Sequence, residues 1–276
     1  MEHFLLRHFV LEYYYLVQLD CKMKIERLNL LGIFNITYPV CPCPQAGGPA
    51  RRPCLPTGRR AGGDKAGRAL LRKMNLFITF EGIEGAGKTT QSMLLAEWLK
   101  KRGREVCVTY EPGHTPLGQR IREILLSDQF SSCAEAELLL YLADRAEHVK
   151  KMILPALTEN KFVLCDRYHD STLAYQGYGR GIKIEFIWNC LFSLGFPLPH
   201  FTFLLDCPVE IGLKRIKNRT LDRMEKQTLL FHNRVREGFL KLAKADPKRI
   251  KVIDVTMPIK DIQTEIRTYV AREYGI

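Results

Sequence analysis

The sequence predicts an α/β protein: one five-stranded parallel sheet with helices on both faces. Three observations carry this. Five short runs stay apolar over several successive residues instead of alternating strictly, as strands covered on both faces do. Helical segments separate each run from the next, which implies right-handed crossovers between parallel strands. The first run leads straight into a glycine-rich turn that opens a helix.

Taken in order, the strands are residues 76–81 (LFITFE), 105–110 (EVCVTY), 162–166 (FVLCD), 201–206 (FTFLLD) and 250–255 (IKVIDV). The helices fall around 89–102, 116–126, 134–159, 183–195, 208–218, 226–245 and 259–273. The stretch 134–159 is read as one long helix, and no helix is placed between the third strand and residue 183. The chain has no internal repeat.

A chain of 276 residues holds one large α/β domain or two small ones. With 46% hydrophobic and 26% charged residues, it is neither a disordered chain nor a collagen-like repeat. No run reaches the roughly 18 apolar residues of a membrane-spanning helix, so no membrane partner is expected. The nine cysteines are too few for a disulfide scaffold and point to reduced thiols in a cytoplasmic protein. The net charge of +12 is unevenly placed. Residues 1–73 hold 12 Lys/Arg against 5 Asp/Glu, whereas residues 74–276 hold 30 against 25. The second part is thus only mildly basic, as an enzyme with anionic substrates is.

Residues 1–40 are rich in aromatic and aliphatic side chains without a sustained period, and residues 41–68 are rich in Pro, Gly, Arg and Ala, the composition of a linker. Cys21, Cys41, Cys43 and Cys54 lie here, but Cys41-Pro-Cys43 lacks the spacing of a zinc site. Three readings compete for residues 1–73: a targeting peptide, an interaction arm, or an extension outside the native fold with translation starting at Met74. The last is favoured, since a self-consistent domain begins at residue 75. The expected division is therefore 1–73 as extension and 74–276 as the functional domain.

The first strand runs into Gly82-Ile83-Glu84-Gly85-Ala86-Gly87-Lys88-Thr89, the Gly-x4-Gly-Lys-Ser/Thr phosphate loop. Strand before and helix after are the context that confirms it. The glycines let backbone N–H groups ring a phosphate, and the helix presents its positive end to the anion. Lys88 reaches the β- and γ-phosphates and the Thr89 hydroxyl suits Mg2+. The expected donor is ATP; a guanine-specific Asn-Lys-x-Asp motif is not present.

The third strand ends in Asp166-Arg167, at the sheet edge where open α/β proteins bind ligands. An Asp and an Arg there suit hydrated Mg2+ and a phosphate; a plain surface ion pair is the alternative. Four segments in order, 82–91 (GIEGAGKTTQ), 111–118 (EPGHTPLG), 166–181 (DRYHDSTLAYQGYGRG) and 219–225 (RTLDRME), closely resemble bacterial thymidylate kinase. The resemblance runs from about Asn75 to the C-terminus. It implies a P-loop nucleoside monophosphate kinase fold, transfer of the γ-phosphoryl group of ATP to dTMP with Mg2+, and a homodimer.

The resemblance also implies roles. Lys88, Arg219, Asp166 and Arg167 are the expected catalytic residues, with Thr89 and Asp166 at the metal. Glu84 faces the acceptor sugar's 3′-hydroxyl, Tyr141 stacks on thymine, and Arg145 hydrogen-bonds the base. Thr172 and Gln176 surround the base; Arg122 and Arg167 line the acceptor pocket, Arg167 at the monophosphate. The residues themselves agree in one respect: Tyr141 and Arg145 at i, i+4 share a helix face, so a ring and a guanidinium can meet one planar base. A core Tyr141, with Arg145 paired to Glu137 or Asp144, is the other reading of that spacing.

Arg215, Arg219 and Arg223 fall at i, i+4 and i+8 and share one face if the segment is helical. The family's lid lies here, around 215–227, and closes over ATP. One subtype carries its catalytic arginine in the phosphate loop, the other in the lid. Gly85 stands at the loop position and Arg219 at the lid position, so the chain resembles the lid-arginine subtype, with Arg215 and Arg223 on the nucleotide. Two departures stand out: Tyr110 and His114 replace a common Arg and Gly around Glu111-Pro112-Gly113, and Gln227 replaces a frequent acid. Competing functions are a kinase for another nucleoside monophosphate or deoxynucleoside, and a non-catalytic nucleotide-binding module whose basic arm holds nucleic acid. The intact Lys88, Thr89, Asp166 and Arg219 and the thymine-pocket match favour the dTMP kinase, with no nucleic-acid partner.

Overall fold

The computed structural model describes residues 76–218 and 220–276. The expectations for residues 1–73, their four cysteines included, lie outside the described residues. Strands β1 (Phe77–Glu81), β2 (Val106–Tyr110), β3 (Phe162–Asp166), β4 (Phe201–Asp206) and β5 (Ile250–Asp254) form one sheet in the order β2-β3-β1-β4-β5, every neighbouring pair parallel. β3 and β4 flank β1, Phe77 in register with Val163 and Ile78 with Phe201. The crevice therefore opens beyond the carboxyl end of β1, where the chain reverses its direction of winding.

Helix α1 (Lys88–Lys100) follows β1, and α2 (Pro116–Leu126) and α3 (Ala134–His148) follow β2. Ile78 and Phe80 share a buried cluster with Leu95 and Leu99 of α1. Phe77 faces a second cluster with Val149, Ile153 and Val163, its ring edge-on to Tyr168 at 4.9 Å. β1 is covered on both sides, which is why its sequence stays apolar without alternation.

The long helix expected over 134–159 is three pieces. α3 passes into a π-helical stretch, Val149–Ile153, before α4 (Leu154–Thr158). Pro155 sits in the first turn of α4. A proline lacks the N–H and crowds the carbonyl four residues back, so the preceding backbone widens to an i→i+5 turn. The segment left without a helix does form one: α5 (His169–Thr172) continues as a π-helical stretch, Leu173–Gly179. Gly177 and Gly179 lower its intrinsic propensity, but packing supplies the reason for both. A Cβ at Gly179 would stand 2.8 Å from the Phe231 ring, and one at Gly177 would meet Ile184 at 2.4 Å.

The remaining helices are α6 (Ile184–Ser193), α7 (Val209–Ile216), α8 (Leu229–Ala245) and α9 (Ile259–Tyr274). α8 starts three residues later than the sequence suggests, because the Thr228 hydroxyl caps it by accepting the Phe231 N–H at 3.2 Å. No helix among the described residues is long and apolar enough to cross a membrane.

Candidate active site

The phosphate loop joins β1 to α1. Gly87 caps α1 in a left-handed conformation, φ 88°, with no side chain bonded to the first N–H groups. Those donors face the cleft, the arrangement that binds anions at a helix start. Lys88, 7% exposed, folds back along the loop and donates to the carbonyls of Gly82 at 3.1 Å and Ile83 at 2.8 Å. Burial, helped by the nearby Arg167, brings its ammonium down to about 8. Gly85, φ 71°, lies directly against α7: a Cβ there would come within 2.0 Å of the Gly212 carbonyl oxygen. Gly85 and Ala86, with Gly87, line a cleft of about 1120 Å³ that also takes in the carboxyl ends of β2 and β3.

Thr89 Oγ1 donates to Asp166 Oδ2 at 2.5 Å, joining the start of α1 to the end of β3. These two oxygen donors suit a hard divalent cation. Among the described residues no three His, Cys, Asp or Glu side chains converge on one point. An ion at Thr89 and Asp166 would take most of its ligands from phosphate and water, as Mg2+ does.

Arg167 follows Asp166 with φ 68°, uncommon for a non-glycine residue. The turn is braced from below by Glu81, which accepts the Tyr168 N–H at 2.8 Å and the Ser171 hydroxyl at 2.6 Å. Burial, with Asp170 close by, raises the Glu81 carboxyl to about 8. The Arg167 guanidinium donates to Gly82 O, Ser171 Oγ and Tyr175 Oη at 3.2–3.3 Å and to Glu84 Oε1 at 3.2 Å. Glu84 also accepts the Tyr175 hydroxyl at 2.5 Å, and His232 Nδ1 stands 3.3 Å from its other oxygen. Burial alone would raise this carboxyl, but His232, Arg167, Lys88 and Tyr175 together outweigh it and hold Glu84 at about 2. A buried, ionised Glu84 is a strong acceptor for a hydroxyl.

On α3, Tyr141 and Arg145 both line the cleft. Arg145 is 2% exposed and does not pair with Glu137 or Asp144, as one reading of its spacing has it. Its Nε donates to Glu111 Oε2 at 2.8 Å and its Nη1 to Thr172 Oγ1 at 2.8 Å. Glu111 Oε1 lies 2.8 Å from His148 Nδ1, and His148 Nε2 lies 2.6 Å from Thr109 Oγ1. Asp144 instead accepts the Gly113 N–H at 3.0 Å. Gln176 Nε2 donates to Glu137 Oε1 at 3.0 Å. Arg122, also on the cleft wall, donates to the Pro112 carbonyl at 2.8 Å. Tyr110 is 40% exposed on the same wall, edge-on to His114 at 4.9 Å, its hydroxyl donating to Gly113 O at 3.3 Å. Burial, with His148 nearby, lowers the His114 pKa and keeps that ring neutral.

Arg215 and Arg223 do not share a helix face. α7 stops at Ile216, and Arg223 lies in a turn. Arg215 donates to Gly85 O at 3.3 Å and Val255 O at 2.7 Å, on the donor side of the cleft. Arg223 is engaged by other groups of the protein: its Nε donates to Leu125 O at 2.8 Å and its Nη2 to Glu137 Oε2 at 2.7 Å. Arg219 lies outside the described residues. Asn218, just past the end of α7, is a stop signal of the kind helices use, and the i, i+8 spacing of Arg215 and Arg223 runs across it.

Sequence reasoning missed Glu137, Arg180, Tyr175 and His232. Glu137 stands one turn before Tyr141 on α3 and is 1% exposed. Arg180, at the end of the 166–181 motif, grips it with Nε at 3.1 Å and Nη2 at 3.0 Å. The i−4 relation to Tyr141 was the available signal.

The family model described as thymidylate kinase matches residues 80–266. The thymidylate kinase of Kosmotoga olearia is 46% identical over 193 residues, covering 69% of this chain and 93% of that protein. That of Carboxydothermus hydrogenoformans is 47% identical over 195 residues, with 70% and 95% covered. The crystal structure of thymidylate kinase from Ehrlichia chaffeensis superposes with a TM-score of 0.58 at 38% identity, covering 71% of this chain and 98% of that one. A phosphate loop opening on a cleft that also holds Asp166, Arg167, Tyr141 and Arg145, on a five-stranded parallel sheet, thus coincides with sequence likeness over almost the whole length of these relatives, and the chain belongs to the thymidylate kinase family.

Proposed function

We infer that this cleft transfers the γ-phosphoryl group of ATP to the 5′-phosphate of dTMP, giving dTDP and ADP. One observation carries the reading of the site: the phosphate loop and the Tyr141–Arg145 face of α3 line one continuous cleft. ATP places its phosphates on the N–H groups of residues 82–89, with Lys88 leaving the carbonyls of Gly82 and Ile83 for the β- and γ-phosphates. Thr89 and Asp166 would hold Mg2+, which would supply charge neutralisation at the ATP phosphates. Arg215 sits against Gly85 and Val255 on the donor side. Thymine lies on Tyr141, bounded by Arg145, Thr172 and Gln176. Arg167 and Arg122 attract the monophosphate, and Glu84 accepts the 3′-hydroxyl. An oxygen of the dTMP phosphate attacks the γ-phosphorus in line as the bond to the β-phosphate oxygen breaks. Charge spreads over the transferring oxygens, and guanidinium groups are the lever that stabilises it.

That arginine is Arg219, supplied by the lid. The contact between Gly85 and Gly212 supports this assignment, since the loop has no room for a side chain at residue 85. The protein works in the cytoplasm; Cys107, Cys133, Cys165, Cys190 and Cys207, all free thiols, suit a reducing compartment. It works as a homodimer: Leu117, Ile124 and Leu139 stand exposed on the packed pair α2 and α3 and offer an apolar face. Residues 74–276 are the catalytic unit, the family match beginning at residue 80.

A coupled ADP-release assay tests the reading, run on the full chain and on residues 74–276 with dTMP, dUMP, dCMP, dGMP and AMP. Turnover is expected with dTMP above all others in both proteins. Equal turnover with dCMP would overturn the thymine assignment, and a dead truncation beside an active full chain would overturn the domain boundary.

A further inference from the structure

We propose that Glu137 is a specificity-determining positioning residue: it fixes which end of the Gln176 amide faces the base, and so makes the pocket accept thymine and reject the cytosine ring. The inference rests on the placement of the base between Tyr141, Arg145 and Gln176 argued above.

Glu137 is 1% exposed, and four donors converge on it. Arg180 bonds both oxygens, Nε to Oε1 at 3.1 Å and Nη2 to Oε2 at 3.0 Å. Arg223 Nη2 adds a bond to Oε2 at 2.7 Å, and Gln176 Nε2 one to Oε1 at 3.0 Å. Burial favours the neutral acid, but the hydrogen bonds from Arg180, Gln176 and Arg223 outweigh it and lower the carboxyl. Two guanidinium groups therefore keep Glu137 ionised, and an ionised carboxylate only accepts.

An amide presents two donors at one end and an acceptor at the other. Against an obligate acceptor 3.0 Å away, Gln176 must present its nitrogen, because its carbonyl oxygen there would put two acceptors in contact in a low-dielectric site. Gln176 is itself 1% exposed and lines the cleft. Its carbonyl oxygen is thereby directed away from Glu137 and serves as an acceptor for the ligand. Arg145, with Nε and Nη1 committed to Glu111 and Thr172, offers donors only. The pocket thus pairs one fixed donor with one fixed acceptor. Thymine shows the complement, a carbonyl at C4 beside an N–H at N3. Cytosine shows the reverse, an amino group at C4 beside a bare N3. Without Glu137 the amide is free to turn, and half of the discrimination is lost.

The test uses dTMP and 5-methyl-dCMP, which share the methyl group and the phosphate and differ only in this donor–acceptor sense. Both are titrated calorimetrically into the full chain and into Glu137→Gln. The ratio of the two dissociation constants is expected to fall roughly ten-fold or more in Glu137→Gln, a site built on buried polar groups being the kind that discriminates by hydrogen bonding. Equal loss of affinity for both ligands, or no change in the ratio, overturns the proposal. Should Glu137→Gln fail to fold, the exchange Glu137→Gln with Gln176→Glu keeps charge and volume and again leaves an acceptor toward the base. It is expected to keep the wild-type ratio within about three-fold, and a collapsed ratio in that variant overturns the proposal. Gln176→Ala separates the two levels. If it leaves dTMP affinity unchanged, the base placement fails and the proposal with it. If it collapses the ratio while Glu137→Gln does not, the placement stands and only the role of Glu137 is wrong.

Discussion

The buried pair between Glu111 and Arg145 makes a quantitative demand. Arg145 joins α3 to the end of β2 through a 2.8 Å bond, and the side chains of the pair are 2% and 3% exposed. Glu111→Gln keeps the shape and one acceptor but removes the charge that lets a guanidinium stay in this site. Breaking a buried ion pair from one side costs roughly 3–5 kcal/mol, because the surviving charge is left without its counter-charge. An isosteric amide belongs at the lower end, about 3 kcal/mol. For a domain of this size each kcal/mol moves Tm by about 2–4 °C, so a fall of roughly 6–12 °C is expected. The same substitution should weaken dTMP binding if the guanidinium meets the base as proposed, since Glu111 no longer holds it. The control is Glu123→Gln, which breaks the exposed pair with Arg120, 78% and 63% exposed. Exposed pairs contribute little, so this change should stay within ~0.5 kcal/mol. Urea unfolding and dTMP titration on both variants decide the matter. If Glu111→Gln is no more costly than the control, the Arg145 charge has another counter-charge, and its orientation toward the base does not depend on Glu111.

Other outcomes follow from the same geometry. Arg219→Ala should lower kcat on the order of 10²-fold or more with little change in KM for dTMP, as loss of a contact made in the transition state does; a near-normal kcat would transfer the role to Arg215. Tyr110→Arg puts a charged fork on the cleft wall beside Arg122, and should tighten dTMP by about ten- to a hundred-fold while leaving thymidine unchanged. Equal tightening of both ligands in calorimetry would place residue 110 away from the phosphate. The Glu84 carboxyl, held at about 2 when folded, contributes stability that is complete above its ordinary value and lost as pH falls toward 2. The urea-stability gap between wild type and Glu84→Gln, up to about 3 kcal/mol, should therefore shrink between pH 4.5 and 2, and a gap that stays constant with pH contradicts the Glu84 assignment.

What the sequence made legible, and what it hid, divides by distance along the chain. The phosphate loop is contiguous, and its flanking strand and helix are local patterns, so residues 82–89 could be read directly. Tyr141 and Arg145 were legible as a shared face because one helix carries both. The partner of Arg145 was not, since Glu111 lies 34 residues away on another element and the acids near Arg145 on α3, Glu137 and Asp144, were as plausible by spacing. The shared face of Arg215 and Arg223, expected if the segment is helical, fails for the same reason in reverse: i, i+4 spacing has meaning only inside a helix, and α7 ends at Ile216. The π-helical stretch 173–179 shows tertiary override. Its glycines argue against a helix locally, yet they let two other helices pack against it, α6 with Ile184 over Gly177 and α8 with Phe231 over Gly179.

Gly85 turns this packing into an argument about catalysis. A Cβ at Gly85 would stand 2.0 Å from the Gly212 carbonyl oxygen and 2.7 Å from its carbon, and one at Gly212 would meet the Glu84 carbonyl at 2.4 Å. Two glycines thus allow α7 to rest its backbone on the phosphate loop, and backbone cannot yield as a flexible side chain can. Gly85 also has φ 71°, a conformation that costs a side-chain-bearing residue further energy. The close contact positions Arg215 over the Gly85 carbonyl and leads the chain from α7 into the segment that carries Arg219. Moving the arginine into the loop, as the other subtype has it, requires pushing α7 away and with it the root of the lid. Gly85→Arg introduced into Arg219→Ala should therefore fail to restore kcat and should lower Tm, whereas the same substitution would rescue turnover if the loop position were merely vacant. Recovery of kcat to within about ten-fold of wild type would show that α7 moves freely and that the Gly85–Gly212 contact does not decide where the arginine comes from.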